Sequence, residues 1–134
     1  MSAYKNPPTR LRPRLVLAYA DPAHASQTCR LLRRHGWEVH LANNGADARR
    51  LLDLLDPDVL VLDAELYDES GWLACAKVLG DDADRRVILL ANAVTDEMRR
   101  FARFVGAAAL VDRDAGPAVL VGEVVGQSAL SVSC

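Results

Sequence analysis

The segment Pro57-Asp58-Val59-Leu60-Val61-Leu62-Asp63 constrains the fold more than any other stretch of the chain. Four consecutive aliphatic residues with no polar alternation mark a strand buried on both faces, and the flanking acids hold the run to strand length. Such a strand belongs inside a parallel sheet whose two surfaces are covered by helices. Val87-Ile88-Leu89-Leu90 repeats the pattern. Neither run approaches the ~20 apolar residues of a membrane-spanning helix, so no membrane crossing is expected.

Helix-period segments alternate with these strands. Leu15 to Ala20 reads as the first strand, and Asp21-Pro22 as a helix start, with Asp as N-cap and Pro where its missing N–H does no harm. That helix should bury Ala25, Cys29 and Leu32 and stop at Gly36. Trp37, Val39 and Leu41 alternate with Glu38, His40 and Ala42 as a half-buried strand. A second helix follows Asn43-Asn44-Gly45, carries Ala48, Leu51, Leu52 and Leu55 on one stripe, and ends at Pro57. The third helix, after the loop Asp63 to Gly71, carries Leu73, Ala76 and Leu79, and Asp81-Asp82-Ala83-Asp84 breaks it. Thr95 caps a fourth helix with Met98, Phe101, Ala102 and Val105 inward, and Gly106 ends it. Ala108 to Asp112 is the fifth strand, and Pro117 opens a last helix with Leu120, Val121, Val124 and Val125. Strand and helix alternate five times, which with right-handed crossovers gives a doubly wound α/β sandwich.

Composition adds limits. With 134 residues, 51% apolar and 25% charged, the chain suits one ordinary globular domain. The net charge of −2 exerts no general pull on nucleic acid, and direct binding to it is not expected. That charge is unevenly spread. Residues 1–14 hold Lys5, Arg10, Arg12, Arg14 and three prolines but no acid, and read as an extended basic arm. The arm takes four of the 16 basic residues and none of the 18 acidic ones, leaving residues 15–134 with 12 against 18, a charge of −6. The N-terminus lacks the apolar core of a signal peptide, which points to the cytoplasm. Cys29, Cys75 and Cys134 lack metal-ligand spacing and read as free thiols.

In a doubly wound sheet the functional crevice lies beyond the carboxyl ends of the strands. The residues there are Tyr19, Ala20 and Asp21, then Asp63 and Glu65, then Ala91 and Asn92, and finally Asp112 and Arg113. No Gly-rich phosphate loop follows the first strand, which argues against a nucleotide site. Asp63 stands out because a carboxylate at the end of a buried strand costs free energy unless it is used or paired.

At these residues the chain resembles the receiver domain of two-component response regulators, the CheY-like family, over residues 15 to about 130. The resemblance is carried by Pro57 through Asp63, the return to Gly71, Gly36-Trp37-Glu38-Val39, and Gly106-Ala107. It implies a flavodoxin-like (βα)5 fold with strand order 2-1-3-4-5, the order for which this family is a standard example. It also implies that Asp63 stands at the phosphoacceptor position, receiving a phosphoryl group from a histidine kinase with Mg²⁺ in attendance.

Several positions depart from the family pattern. Two adjacent acids usually end the first strand, and here stand Tyr19 and Ala20. The hydroxyl residue after the fourth strand is Ala91, the aromatic switch position is Leu110, the lysine is Arg113 and the proline after it is Asp114. Tyr67 replaces the usual proline of the acceptor loop. Mg²⁺ would keep Asp63 and the Glu65 carbonyl, with Asp21 or the Glu65 side chain as substitutes, a poor set for an ion that dehydrates reluctantly. Asp21 has a second role open to it as helix N-cap, and Glu65 as an outward loop acid. Arg113 can form an ion pair with Asp63.

The expectation is therefore a degenerate receiver, a signalling module rather than an enzyme, without a DNA-binding output domain in these residues. It would act by protein contacts through the fourth helix, fifth strand and fifth helix, where Arg99, Arg100 and Arg103 form either a solvated face or a surface for docking or homodimerisation. An orthodox regulator phosphorylated on Asp63 is one rival. An aspartyl-phosphate hydrolase is another, weakened because Asp63-Ala64-Glu65-Leu66-Tyr67 lacks the second aspartate and the following hydroxyl. His24, His35 and His40 are scattered and read as ordinary surface residues.

Overall fold

The computed structural model describes residues 12–133, with side chains as far as Gly126. Most of the basic arm, residues 1–11, and Cys134 lie outside the described residues.

The elements are β1 (Arg14–Ala18), α1 (Pro22–Arg34), β2 (Glu38–Ala42), α2 (Gly45–Leu55), β3 (Val59–Asp63), α3 (Gly71–Asp81), β4 (Val87–Ala91), α4 (Asp96–Val105), β5 (Ala109–Asp112) and α5 (Pro117–Ser133). A 3₁₀ turn, Arg113–Ala115, joins β5 to α5. All four strand pairings are parallel, in the order β2-β1-β3-β4-β5. The doubly wound order is as expected.

Arg14, counted with the arm in the sequence, opens β1. Its backbone N–H donates to the Asp58 carboxylate at 2.8 Å, and its guanidinium lies 2.9 Å from Glu38. Because β1 stops at Ala18, Tyr19 and Ala20 belong to the connection that follows rather than to the strand.

Period-two alternation sorts each central strand between two cores. Leu15, Leu17, Val59, Val61, Ile88 and Leu90 face α1 and α5, meeting Cys29, Leu32, Leu120 and Val124. Val16, Leu60, Leu62, Val87 and Leu89 face the other way, onto Ala48, Leu52, Cys75, Val78 and Ala102. Every residue of β3 and β4 is buried. Cys29 and Cys75 act as small apolar residues, and burial pushes both thiols up, that of Cys75 to about 11.

Three expected faces are corrected. In α3 the buried stripe is Ala74, Cys75 and Val78, while Leu73 and Ala76 are exposed. The cause is Gly71, whose missing side chain lets the start of α3 press against the Asp63–Ala64 backbone and so fixes the rotation of the helix. In α4 only Ala102 is fully buried, and Phe101 remains 46% exposed. In the edge strand β2, Leu41 is 47% exposed and Ala42 is buried instead.

Candidate functional site

The ends of β1, β3, β4 and β5 converge on Asp63, the last residue of β3, which is completely buried. Both oxygens of its carboxylate accept hydrogen bonds. Oδ1 accepts the Glu65 backbone N–H at 3.0 Å. Oδ2 accepts a long bond from the Ala20 N–H at 3.3 Å and a charged one from Nη1 of Arg113. Arg113 rises from the 3₁₀ turn after β5, its side chain only 9% exposed, and its Nε donates to Asn92 Oδ1 at 3.1 Å. One guanidinium thus ties the end of β3, the residue after β4 and the turn after β5. A planar fork with fixed donors suits this better than a lysine ammonium.

The other sequence candidates do not join that carboxylate. Asp21 caps α1, accepting the Ala23 N–H at 3.0 Å, with His24 at 3.4 Å, and its side chain is half exposed. Glu65 contributes its backbone N–H, while the residue as a whole is exposed. Tyr19 is buried in the core under α1, where its hydroxyl lies 3.3 Å from Thr28 Oγ1. Burial raises the Tyr19 phenol above its usual 10, and the nearby Asp63 charge adds to the rise. Ala91 is buried beside Asp112 in the β4–β5 register, and Leu110 is buried against the α4 side. Neither offers a hydroxyl or a ring to the crevice.

Mg²⁺ requires oxygen ligands in near-octahedral array. Around Asp63 the neighbours point N–H groups and a full positive charge at the carboxylate, and a cation placed there would meet Arg113 first. Asp21, Asp63 and Glu65 form no metal-holding group, and no other cluster of three such side chains exists among the described residues. The residues present do not fit the ion.

The loop from Asp63 to Gly71 is pinned by bonds the sequence reading did not foresee. The Tyr67 hydroxyl donates to the Ala20 carbonyl at 3.0 Å. The Asp68 carboxylate accepts the Gly45 and Ala46 N–H groups at 2.7 and 3.0 Å, filling the exposed donors at the start of α2. Those two bonds hold the Asp68 carboxyl below the usual carboxylate range. Burial opposes the charge of Glu69, but its bonds to Arg49 and Lys77 outweigh that and keep its acidity high. Gly71 donates to the Ala64 carbonyl at 2.8 Å, and a Cβ there would collide with the Asp63 carbonyl oxygen. A dense aspartate-glutamate pair preceding a helix start was the available signal, but the α2 partners of both acids lie 20 or more residues away.

Residues 16–124 match the family model of the response regulator receiver domain. The chain belongs to that receiver family. Two curated relatives are similar over about half of it. The adventurous-gliding motility protein Z of Myxococcus xanthus is 34% identical over 65 residues, 48% of this chain and 5% of that protein. The transcriptional regulatory protein TrcR of Mycobacterium tuberculosis is 35% identical over 69 residues, 52% of this chain and 27% of that protein. The matched parts therefore span about a quarter or less of those relatives. Among solved structures, a LuxR-family two-component response regulator from an Aurantimonas species superposes with a TM-score of 0.80 at 25% identity, covering 88% of this chain and 86% of that one.

Receiver domains interact with kinases and other signalling proteins, and this receiver is a module of two-component signalling. Among the described residues, no helix is long and apolar enough to cross a membrane. Arg99, Arg100 and Arg103 lie exposed on α4.

Proposed function

We propose that this receiver transmits its signal through protein contacts and that Asp63, at the phosphoacceptor position, is held as a structural ion pair rather than phosphorylated. The observation that carries this is the pairing of the fully buried Asp63 carboxylate with Arg113, supported by two backbone N–H groups. To attack phosphorus, a carboxylate oxygen must be free and aligned, and cationic charge must be available to the transferring group. Here the cation is already spent on the nucleophile. Ala91 in place of a hydroxyl, and Tyr19 and Ala20 in place of acids, remove the other groups such a transfer uses.

The working surface in this reading is α4, β5 and α5, with Arg99, Arg100 and Arg103 on its rim, facing a histidine kinase, another signalling protein or a second copy of the chain. The setting is the cytoplasm and the role is not enzymatic. Incubation with acetyl phosphate and Mg²⁺, followed by intact-mass measurement, should leave the protein unlabelled. A stable Mg²⁺-dependent adduct that disappears in Asp63→Asn would establish the orthodox phosphorylated regulator instead. If Asp21→Ala or Glu65→Ala then removed Mg²⁺ binding while the fold persisted, that residue would be the replacement ligand.

A further inference from the structure

A groove of about 270 Å³ between α4 and the start of β5 is lined by Arg99, Ala102, Arg103 and residues 107–110. Ala102 and Leu110 are buried and form its floor, while Arg99 and Arg103 are exposed on its rim. Four residues of helix rise about 6 Å, so the two arginines stand one turn apart on the same side of α4. Neither side chain makes an ion pair with any described residue, although residues 15–134 carry a charge of −6.

The acids nearest to hand are placed elsewhere. Asp96 and Glu97 sit in the first turn of α4, where their charge suits the helix N-terminus. The Asp112 carboxylate accepts the Asp114 N–H in the turn after β5, and the charge of Glu123 on α5 acts on Arg86. None of these acids lines the groove. The opposite flank of α4, toward α3, exposes Phe101 and Phe104 beside Trp72, and the groove there has no charged lining. Unmet positive charge meets an apolar floor on the β5 side.

The geometry points to this groove as the docking site for an acidic segment of another protein, with one carboxylate for each of Arg99 and Arg103 and a small apolar side chain between them. The inference rests on the reading of α4, β5 and α5 as the working surface and names the chemistry of what docks there. A carboxylate can meet a guanidinium in bidentate fashion, and a partner that covers the groove strengthens both contacts by excluding water. A second copy of the chain that brought its own α4 to the groove would set arginines against arginines. A nucleic-acid backbone would be repelled by the −6 body.

Two synthetic helical peptides of about 18 residues, long enough to hold a helix, test this. Both carry a Val between two charged residues four apart, Glu in one peptide and Lys in the other. Amide NMR titration of the full chain should place the shifts from the Glu peptide on Arg99, Ala102, Arg103 and residues 107–110, with the Lys peptide at least about tenfold weaker. Arg103→Ala should weaken the Glu peptide by about tenfold, and the double variant Arg99→Glu, Arg103→Glu should reverse the preference. Both substituted side chains are exposed, so the fold should persist. Equal affinity of the two peptides for this groove would overturn the selection for acid while leaving the surface as the working face. Glu-peptide shifts elsewhere, or no binding, would overturn the proposal outright. So would tighter binding of a short DNA duplex to the same residues, or a dimer in sedimentation velocity that the double variant dissolves. None of these variants touches Asp63, so labelling of Asp63 would refute the structural ion pair and leave this proposal standing.

Discussion

The Asp63 end of the sheet and the α3–α4 face manage their polar and apolar groups in opposite ways. Around Asp63 the polar groups are tied to one another. The carboxylate meets Arg113 and two backbone N–H groups, and the loop above is bonded to α1's approach through Tyr67 and to α2 through Asp68 and Glu69. On the α3–α4 face, aromatic rings are left to solvent. Buried polar networks that are fully satisfied rigidify a fold, whereas exposed apolar rows are available to a partner. The difference teaches where a polar group is tied into the framework and where apolar side chains are left to solvent, and it is the contrast on which the proposed structural role of Asp63 rests.

Substitutions can break that contrast, starting with the largest expected effect. Arg113→Ala strands a fully buried carboxylate and should cost about 3–5 kcal/mol in urea unfolding, the usual loss when one member of a buried pair is removed. Little or no change would show that Asp63 is not held as a structural pair. Gly71→Ala drives a methyl group into the Asp63–Ala64 backbone and should cost about 1–3 kcal/mol, with amide shifts spreading along the loop to Tyr67.

Asp68→Ala should cost about 1 kcal/mol, the typical loss of a helix-start acceptor. The pH dependence follows from the sign of the shift. A carboxyl lowered on folding contributes stability above its ordinary pKa of 3.8, and loses it as pH falls through the lower folded value. The gap between the parent and Asp68→Ala should therefore be full at neutral pH and close on the acid side. A gap that stayed constant to low pH would assign the loss to something other than the charge.

The smallest stability effect belongs to the other region. Phe104→Ser should change unfolding free energy by no more than about 0.5 kcal/mol, as expected for a solvent-facing side chain. A loss of 2 kcal/mol or more would mean that the aromatic row is part of the core and would erase the contrast.

Much of the fold was legible in the sequence because its signals are local. The uninterrupted Val59–Leu62 and Val87–Leu90 runs placed the central strands, and Asp21-Pro22 and Gly106 placed helix ends that the structure retains, with Gly106 at φ +91°. The rotation of α3 was not legible, because it is set by the contact of Gly71 with a strand end rather than by the helix's own periodicity. The Asp63–Arg113 pair could be anticipated, since one residue ends a strand and the other directly follows one at the same carboxyl end of the sheet. The anchoring of Asp68, Glu69 and Tyr67 could not, because each bonds a partner brought near only by the crossovers. Phe101 reads as core by spacing, yet it packs on Trp72 of α3 and stays half outside.

The central claim is that Arg113 holds Asp63 in a receiver whose site takes up neither the divalent ion nor a phosphoryl group. An amide NMR titration of the intact chain with Mg²⁺ and beryllofluoride, the aspartyl-phosphate mimic, tests this most directly. The account predicts that Asp63, Glu65, Ala91 and Arg113 keep their resonances to saturating reagent. Saturable shifts centred on Asp63 and absent in Asp63→Asn would contradict it.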